Sequence, residues 1–175
     1  MSDVPCDLSV LMPEYNIDPD RIGVWGESAG AQLAALLGTM DDNFSEFDNA
    51  EYSSFSSRVQ AVVDLFGPSD FITFYDDGRH ISLGPTTESI FGNDEISEPI
   101  YKDASPVTHI SSDNPPFLIV HGDADETVAL SQSQEFYKKL VAAGVDAQLV
   151  VVKGGNHGLT NAAEIPSQDT IKQMI

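Results

Sequence analysis

The pentapeptide Gly26-Glu27-Ser28-Ala29-Gly30 constrains the fold more than any other stretch of this chain. It follows a short apolar run at residues 21–25, which Asp18-Pro19-Asp20 introduces as a turn. It precedes residues 31–40, rich in Ala and Leu, which read as a buried helix. A serine between glycines at a strand-to-helix junction is the pattern of a nucleophile elbow. Such a turn is tight, so side chains near the serine must be small, and Gly26 and Gly30 would let strand and helix approach closely. The helix start would direct backbone N–H groups at a developing oxyanion. The bland alternative is that Ser28 merely caps the helix.

The rest of the chain repeats the alternation. Residues 41–57 are polar and read as a loop. Residues 59–66 form a second predicted strand, ended by Gly67-Pro68. Residues 69–111 are long, mixed and punctuated by Gly and Pro, which suggests an insertion or lid. Pro115-Pro116 leads into a third strand at 117–120. Residues 131–143 have helical periodicity, with Phe136, Leu140 and Val141 on one side and Gly144 as the stop. A fourth strand at 148–152 ends at Gly154-Gly155, and residues 163–175 read as a last short helix. Strand and helix in turn predict an α/β domain over 1–175 with a mostly parallel sheet and flanking helices. The strands are continuous apolar runs, which suits strands buried on both faces.

Charge excludes some partners. The 175 residues hold 28 Asp plus Glu against 8 Lys plus Arg, a formal −20. A polyanion would repel such a surface, so nucleic acid and anionic membrane are not expected partners. The acids are spread along the chain, as in an ordinary acidic protein; salt adaptation is the other reading. The single cysteine, Cys6, rules out an intrachain disulfide and a Cys-rich zinc site. Residues 1–20 show no basic start followed by an apolar stretch, so the default expectation is cytoplasmic.

Two further motifs carry chemistry. His121-Gly122-Asp123-Ala124-Asp125 directly follows the third strand, where active sites of parallel sheets form. Either aspartate could orient a histidine. An Asp-rich turn is the bland reading, and a Ca²⁺ loop a weaker one, since the spacing does not match an EF-hand. Asn156-His157-Gly158 follows the fourth strand at the same sheet edge. Of the other histidines, His80 lies in the polar insertion, His109 precedes a Ser-Asp turn, and His121 abuts a strand as a structural hydrogen-bonding residue. The order is therefore Ser28, an acid, then His157. A serine hydroxyl is a weak nucleophile, and it needs an imidazole to take its proton and a carboxylate to hold that imidazole.

These residues resemble the α/β-hydrolase-fold carboxylesterases, in particular their acetyl-esterase, feruloyl-esterase-like and lipase-like subgroup. The resemblance covers most of residues 15–160. It rests on YNIDPDRIGVWGESAGAQLAALLG (15–38), FGPSDF (66–71), ASPVTHI (104–110), PPFLIVHGDADETV (115–128) and AAGVDAQLVVVKGGNHG (142–158). It implies Ser28 as nucleophile, His157 as general base and Asp125, rather than Asp123, as the acid. It further implies the Ala29 N–H as one oxyanion donor, a small-molecule ester as substrate, and no cofactor or metal. The chain departs from the family pattern at Ala31, often a glycine, and in having no HGG segment for a second oxyanion donor.

The complete fold has about four more strands before the nucleophile strand, and residues 1–20 are too few to hold them. The chain thus resembles the C-terminal half to two-thirds of an esterase. The nucleophile strand would then be a sheet edge, and self-association there, or a truncated product, is expected over coverage by residues 1–20. Esterase activity is the first functional expectation. A prolyl-oligopeptidase-like peptidase or amidase and a weakly active or inactive remnant are the alternatives.

Overall fold

The computed structural model describes residue 18 and residues 20–40, 58–76 and 99–161. Four strands, β1 (Gly23–Glu27), β2 (Ala61–Leu65), β3 (Phe117–Gly122) and β4 (Ala147–Val152), form one sheet in the order β1-β2-β3-β4. All three pairings are parallel. In register, Glu27 lies opposite Leu65, Leu65 opposite Val120, and Gly122 opposite Val152. The carboxyl ends of the strands therefore share one edge, where loops can converge.

Helix α1 (Ala29–Thr39) returns the chain from β1 across the sheet. Its small residues Ala31, Ala34, Ala35 and Gly38 face inward, which permits a close approach to β1 and β2. A Cβ on Gly38 would lie 2.4 Å from the Val62 Cγ2. Helix α4 (Leu130–Ala142) packs on β3 and β4 and buries Gln132, Ser133, Phe136 and Leu140. Val141, expected on that same side, is 49% exposed, because it lies a third of a turn beyond Leu140. Gly144 ends the helix with φ of 87°, a conformation that favours glycine.

Alternation along β2 and β3 divides the core. Val62, Phe117 and Ile119 join Ala34, Ala35, Phe136 and Leu140 on one face, where the Phe117 and Phe136 rings meet edge to face at 5.4 Å. Val63, Leu118 and Val120 join Phe66, Val152 and Leu159 on the other. Burial on both faces holds for β2 and β3 only. In β1 residues alternate between exposed and half-buried, with Trp25 65% exposed, and β4 is only partly covered. The reason is position: β1 and β4 are the outer strands among the described residues.

Two short helices, α2 (Phe71–Asp76) and α3 (Pro99–Asp103), pack against each other. Phe71, Phe74 and Tyr101 pack with Val128 as a third apolar cluster, so these aromatics are core. Buried polar groups tie this region to its neighbours. The Gln132 Oε1 accepts from the Ser69 and Asp70 N–H groups at 3.0 and 2.9 Å. The Ser105 hydroxyl accepts from the Phe71 N–H and donates to the Tyr101 carbonyl. The loop at 41–57, residues 77–98 of the insertion with His80 and Phe91, the final helix at 163–175 and Cys6 lie outside the described residues.

Candidate active site

Ser28 stands at the junction of β1 and α1 with φ of 53° and ψ of −120°. A non-glycine residue with positive φ is strained and persists only where the surroundings hold it. The Ser28 N–H donates to the Leu65 carbonyl at 2.9 Å, and the Ser28 carbonyl accepts from the Ala31 and Gln32 N–H groups. Gly26 makes the turn possible: a Cβ there would lie 2.2 Å from the Gly30 carbonyl oxygen. Gly30, expected to ease the same approach, has nothing within 4 Å of where its Cβ would be. Its backbone, not its missing side chain, is what crowds Gly26. Ser28 occupies the cap position of α1 but makes no capping hydrogen bond with its side chain. The hydroxyl goes elsewhere.

It lies 3.0 Å from the His157 Nε2. The His157 Nδ1 lies 2.8 Å from the Asp125 Oδ2. The fold thus brings Ser28, Asp125 and His157 from the ends of β1, β3 and β4 into one hydrogen-bonded line. Asp125 is an acceptor only, so the His157 Nδ1 carries the proton and the Nε2 is left to accept from the hydroxyl. Gly122 sets the distance between the two loops: a Cβ on it would sit 2.1 Å from the Gly155 carbonyl oxygen. Asp123, the other aspartate of the motif, accepts from the Gly154 N–H at 2.6 Å and shapes that turn. Ala29, the first residue of α1, has an N–H without an acceptor inside the helix.

Asp125 is buried, and burial on its own would raise its pKa. Hydrogen bonds from His121, His157 and the Val128 and Thr127 N–H groups outweigh that, and the carboxyl is held well below the usual carboxylate range. Its Oδ1 accepts from Thr127 and Val128 at 2.8 and 3.0 Å. A carboxylate so held keeps its charge and direction at any pH where the imidazole beside it can act as a base.

Two further residues stand at the site, both inside motifs read from the sequence but given no part in the site there. Phe66, at the end of β2, has φ of 49° and sets its ring edge-on to the His157 imidazole with centroids 4.9 Å apart. The only sequence signal is the Phe-Gly-Pro that ends the second strand. His121 is wholly buried, with its Nε2 3.2 Å from the Asp125 Oδ2. This agrees with the sequence reading of His121 as a structural hydrogen-bonding residue; its contact with Asp125 is not part of that reading. His109 is remote from this chemistry, its Nε2 donating to the Asp103 carbonyl at 2.8 Å. No group of three or more metal-binding side chains occurs among the described residues.

Known proteins share this architecture. Over 132 residues the chain is 39% identical to a protein of Mycobacterium tuberculosis named probable carboxylic ester hydrolase LipM, covering 73% of this chain and 29% of that one. It is 31% identical to the esterase LipQ of the same organism, covering 89% of this chain and 37% of that one. The chain therefore spans about a third of the length of these curated relatives. Among solved structures, a truncated carbohydrate esterase from gut microbiota superposes with a TM-score of 0.77 at 31% identity, covering 95% of this chain and 61% of that one. The BD-FAE family model matches residues 8–140. With the elbow, the parallel sheet and the matched span in agreement, the chain belongs to the BD-FAE family of α/β-hydrolase-fold carboxylesterases.

Proposed function

We propose that the chain is a serine hydrolase of carboxylic esters that acts on small acyl or aryl esters through an acyl-enzyme. One observation carries the reading: the continuous line from hydroxyl through imidazole to buried carboxylate. Ser28 Oγ attacks the ester carbonyl while the His157 Nε2 takes its proton. The imidazolium so formed faces the Asp125 carboxylate, which stabilises it and fixes its orientation. The Ala29 N–H donates to the tetrahedral oxyanion. On collapse the C–O bond to the alcohol breaks, and the alcohol leaves with the proton from His157. Water, deprotonated by the same imidazole, then cleaves the acyl-serine and frees the acid. No cofactor enters any step.

One donor alone would make a weak oxyanion hole, since losing a donor typically costs about 100- to 1000-fold in rate. Turnover is therefore expected to be slow unless a second donor completes the hole. The test is hydrolysis of a short-chain p-nitrophenyl ester by the purified chain beside its Ser28→Ala variant. Release of p-nitrophenol that vanishes in the variant supports the reading. Equal rates in two folded proteins would reject it. Cleavage of the matching p-nitroanilide at a comparable rate would favour an amidase over an esterase.

A further inference from the structure

Asp125 receives two imidazoles. His157 approaches its Oδ2 from the solvent side, and His121 approaches the same oxygen from the interior at 3.2 Å. The side chains of His121 and Asp125 are both fully buried. The partners of His121 fix its tautomer. Its Nε2 lies 3.0 Å from the Val128 carbonyl oxygen, which can only accept, so the Nε2 carries a proton. That N–H is shared between the Val128 carbonyl and the Asp125 carboxylate. Its Nδ1 lies 2.7 Å from the Ser133 hydroxyl on α4, which donates to it. Asp125 Oδ1 accepts from Thr127 and Val128, so both carboxylate oxygens have protein donors.

Resting on the Ser28–His157–Asp125 reading, we propose that His121, locked by Ser133, is a positioning residue that holds Asp125 in line with His157. It does not touch the reacting atoms. It acts through the carboxylate, and it links the site to β3 and α4. Without it the Oδ2 would lose its buried donor, and the carboxylate, still held by the Thr127 and Val128 N–H groups and by His157, would be less firmly aligned or would recruit water in its place. A hydrogen bond to a charged group removed in this way corresponds to a fall of about 10- to 100-fold in kcat, with KM little changed.

The experiment uses the full chain and its His121→Phe, His121→Gln and Ser133→Ala variants. Proton NMR follows the low-field resonance of the His157 Nδ1–H, assigned by its loss in His157→Ala, and ester hydrolysis follows kcat and KM. Thermal unfolding checks each fold. In His121→Phe the resonance moves or broadens and kcat falls. In His121→Gln, whose amide can donate from nearly the same place, both recover in part. In Ser133→Ala both move in the same direction as in His121→Phe, and this variant decides the matter if His121→Phe does not fold.

A resonance and a kcat that ignore His121→Phe and Ser133→Ala overturn the proposal, as does a wild-type chain without the resonance. A resonance that responds in a chain without Ser28-dependent turnover leaves the positioning intact and rejects the esterase reading instead. Ser28-dependent turnover with an indifferent resonance does the reverse.

Discussion

Asp125 shows what a single residue contributes and how far a sequence can assign it. Ser28 and His157 were legible because Ser28 stands between glycines at a strand-to-helix junction and His157 is the one histidine that follows the fourth strand. Spacing alone leaves Asp123 and Asp125 both open, since the two acids stand two positions apart after the same strand, and the preference for Asp125 comes from the family resemblance. The path of the loop agrees with that preference: Asp123 turns to the Gly154 N–H, and Asp125 turns inward to both imidazoles. His121 is read as a structural hydrogen-bonding residue, which its contacts with Ser133 and Val128 agree with, whereas the packing of Phe66 on His157 was not legible because the two rings come from different loops. Asp125→Asn keeps the shape but leaves an amide where an anion is needed, and the imidazole can then adopt the wrong tautomer. The kcat of ester hydrolysis is expected to fall by about 10⁴-fold, measured beside an unchanged circular dichroism spectrum. The carboxyl also bears on stability. Its pKa is lowered in the folded state, so its contribution is fully present above the ordinary value of 3.8 and is lost as the pH falls below it. In Asp125→Asn the loss of stability between neutral pH and strongly acid pH becomes shallower, as urea titrations at several pH values would record.

At the scale of elements, the alternation of strand and helix was readable because β2 and β3 are mostly apolar, interrupted in β2 only by Asp64, and α1 is rich in Ala and Leu. The register of β1 was not. The sequence predicts a strand at 21–25 with Gly26 already in the turn, whereas β1 is Gly23–Glu27. Glycine has little strand propensity of its own, but pairing of Gly26 with Asp64 and Glu27 with Leu65 carries the strand up to the serine. The strand thus ends where the elbow needs it to end. Burial of β1 and β4 was misread because continuous apolar character does not reveal which strands lie outermost. The junction itself yields a prediction. In Gly26→Ala the new methyl would meet the Gly30 backbone at 2.2 Å, and neither strand nor helix start can yield without moving Ser28. A destabilisation of about 1–3 kcal/mol is expected from such overpacking, read by chemical denaturation, together with a lower kcat.

Across the whole molecule, the sheet collects the site at one edge and buries ionisable groups beneath it. Asp64, in the middle of the sheet, is 1% exposed. Burial raises its pKa to about 6, against the Gly67 N–H, which bonds its Oδ1 at 2.9 Å, and the nearby His121 imidazole, both of which favour the anion. An acid whose pKa is raised binds its proton more tightly in the folded state. Stability therefore falls as the pH rises from about 4 to about 6, and above that the full cost, on the order of 3 kcal/mol, is present. Asp64→Asn keeps an acceptor for the Gly67 N–H and removes the titration. The unfolding free energy of this variant is expected to stay flatter than the wild type between pH 4 and 6. A fall with the same slope as wild type would show that Asp64 is not the group responsible.

Ser28 Oγ is the atom expected to be acylated, and its reactivity can be measured without depending on turnover. The chain is incubated with a fluorophosphonate, which phosphonylates an activated serine, and its intact mass and peptide map are read. One adduct per chain is expected, located on Ser28, absent in Ser28→Ala and formed far more slowly in His157→Ala. No adduct in a folded chain, an adduct on another residue, or equal labelling of wild type and Ser28→Ala would contradict it.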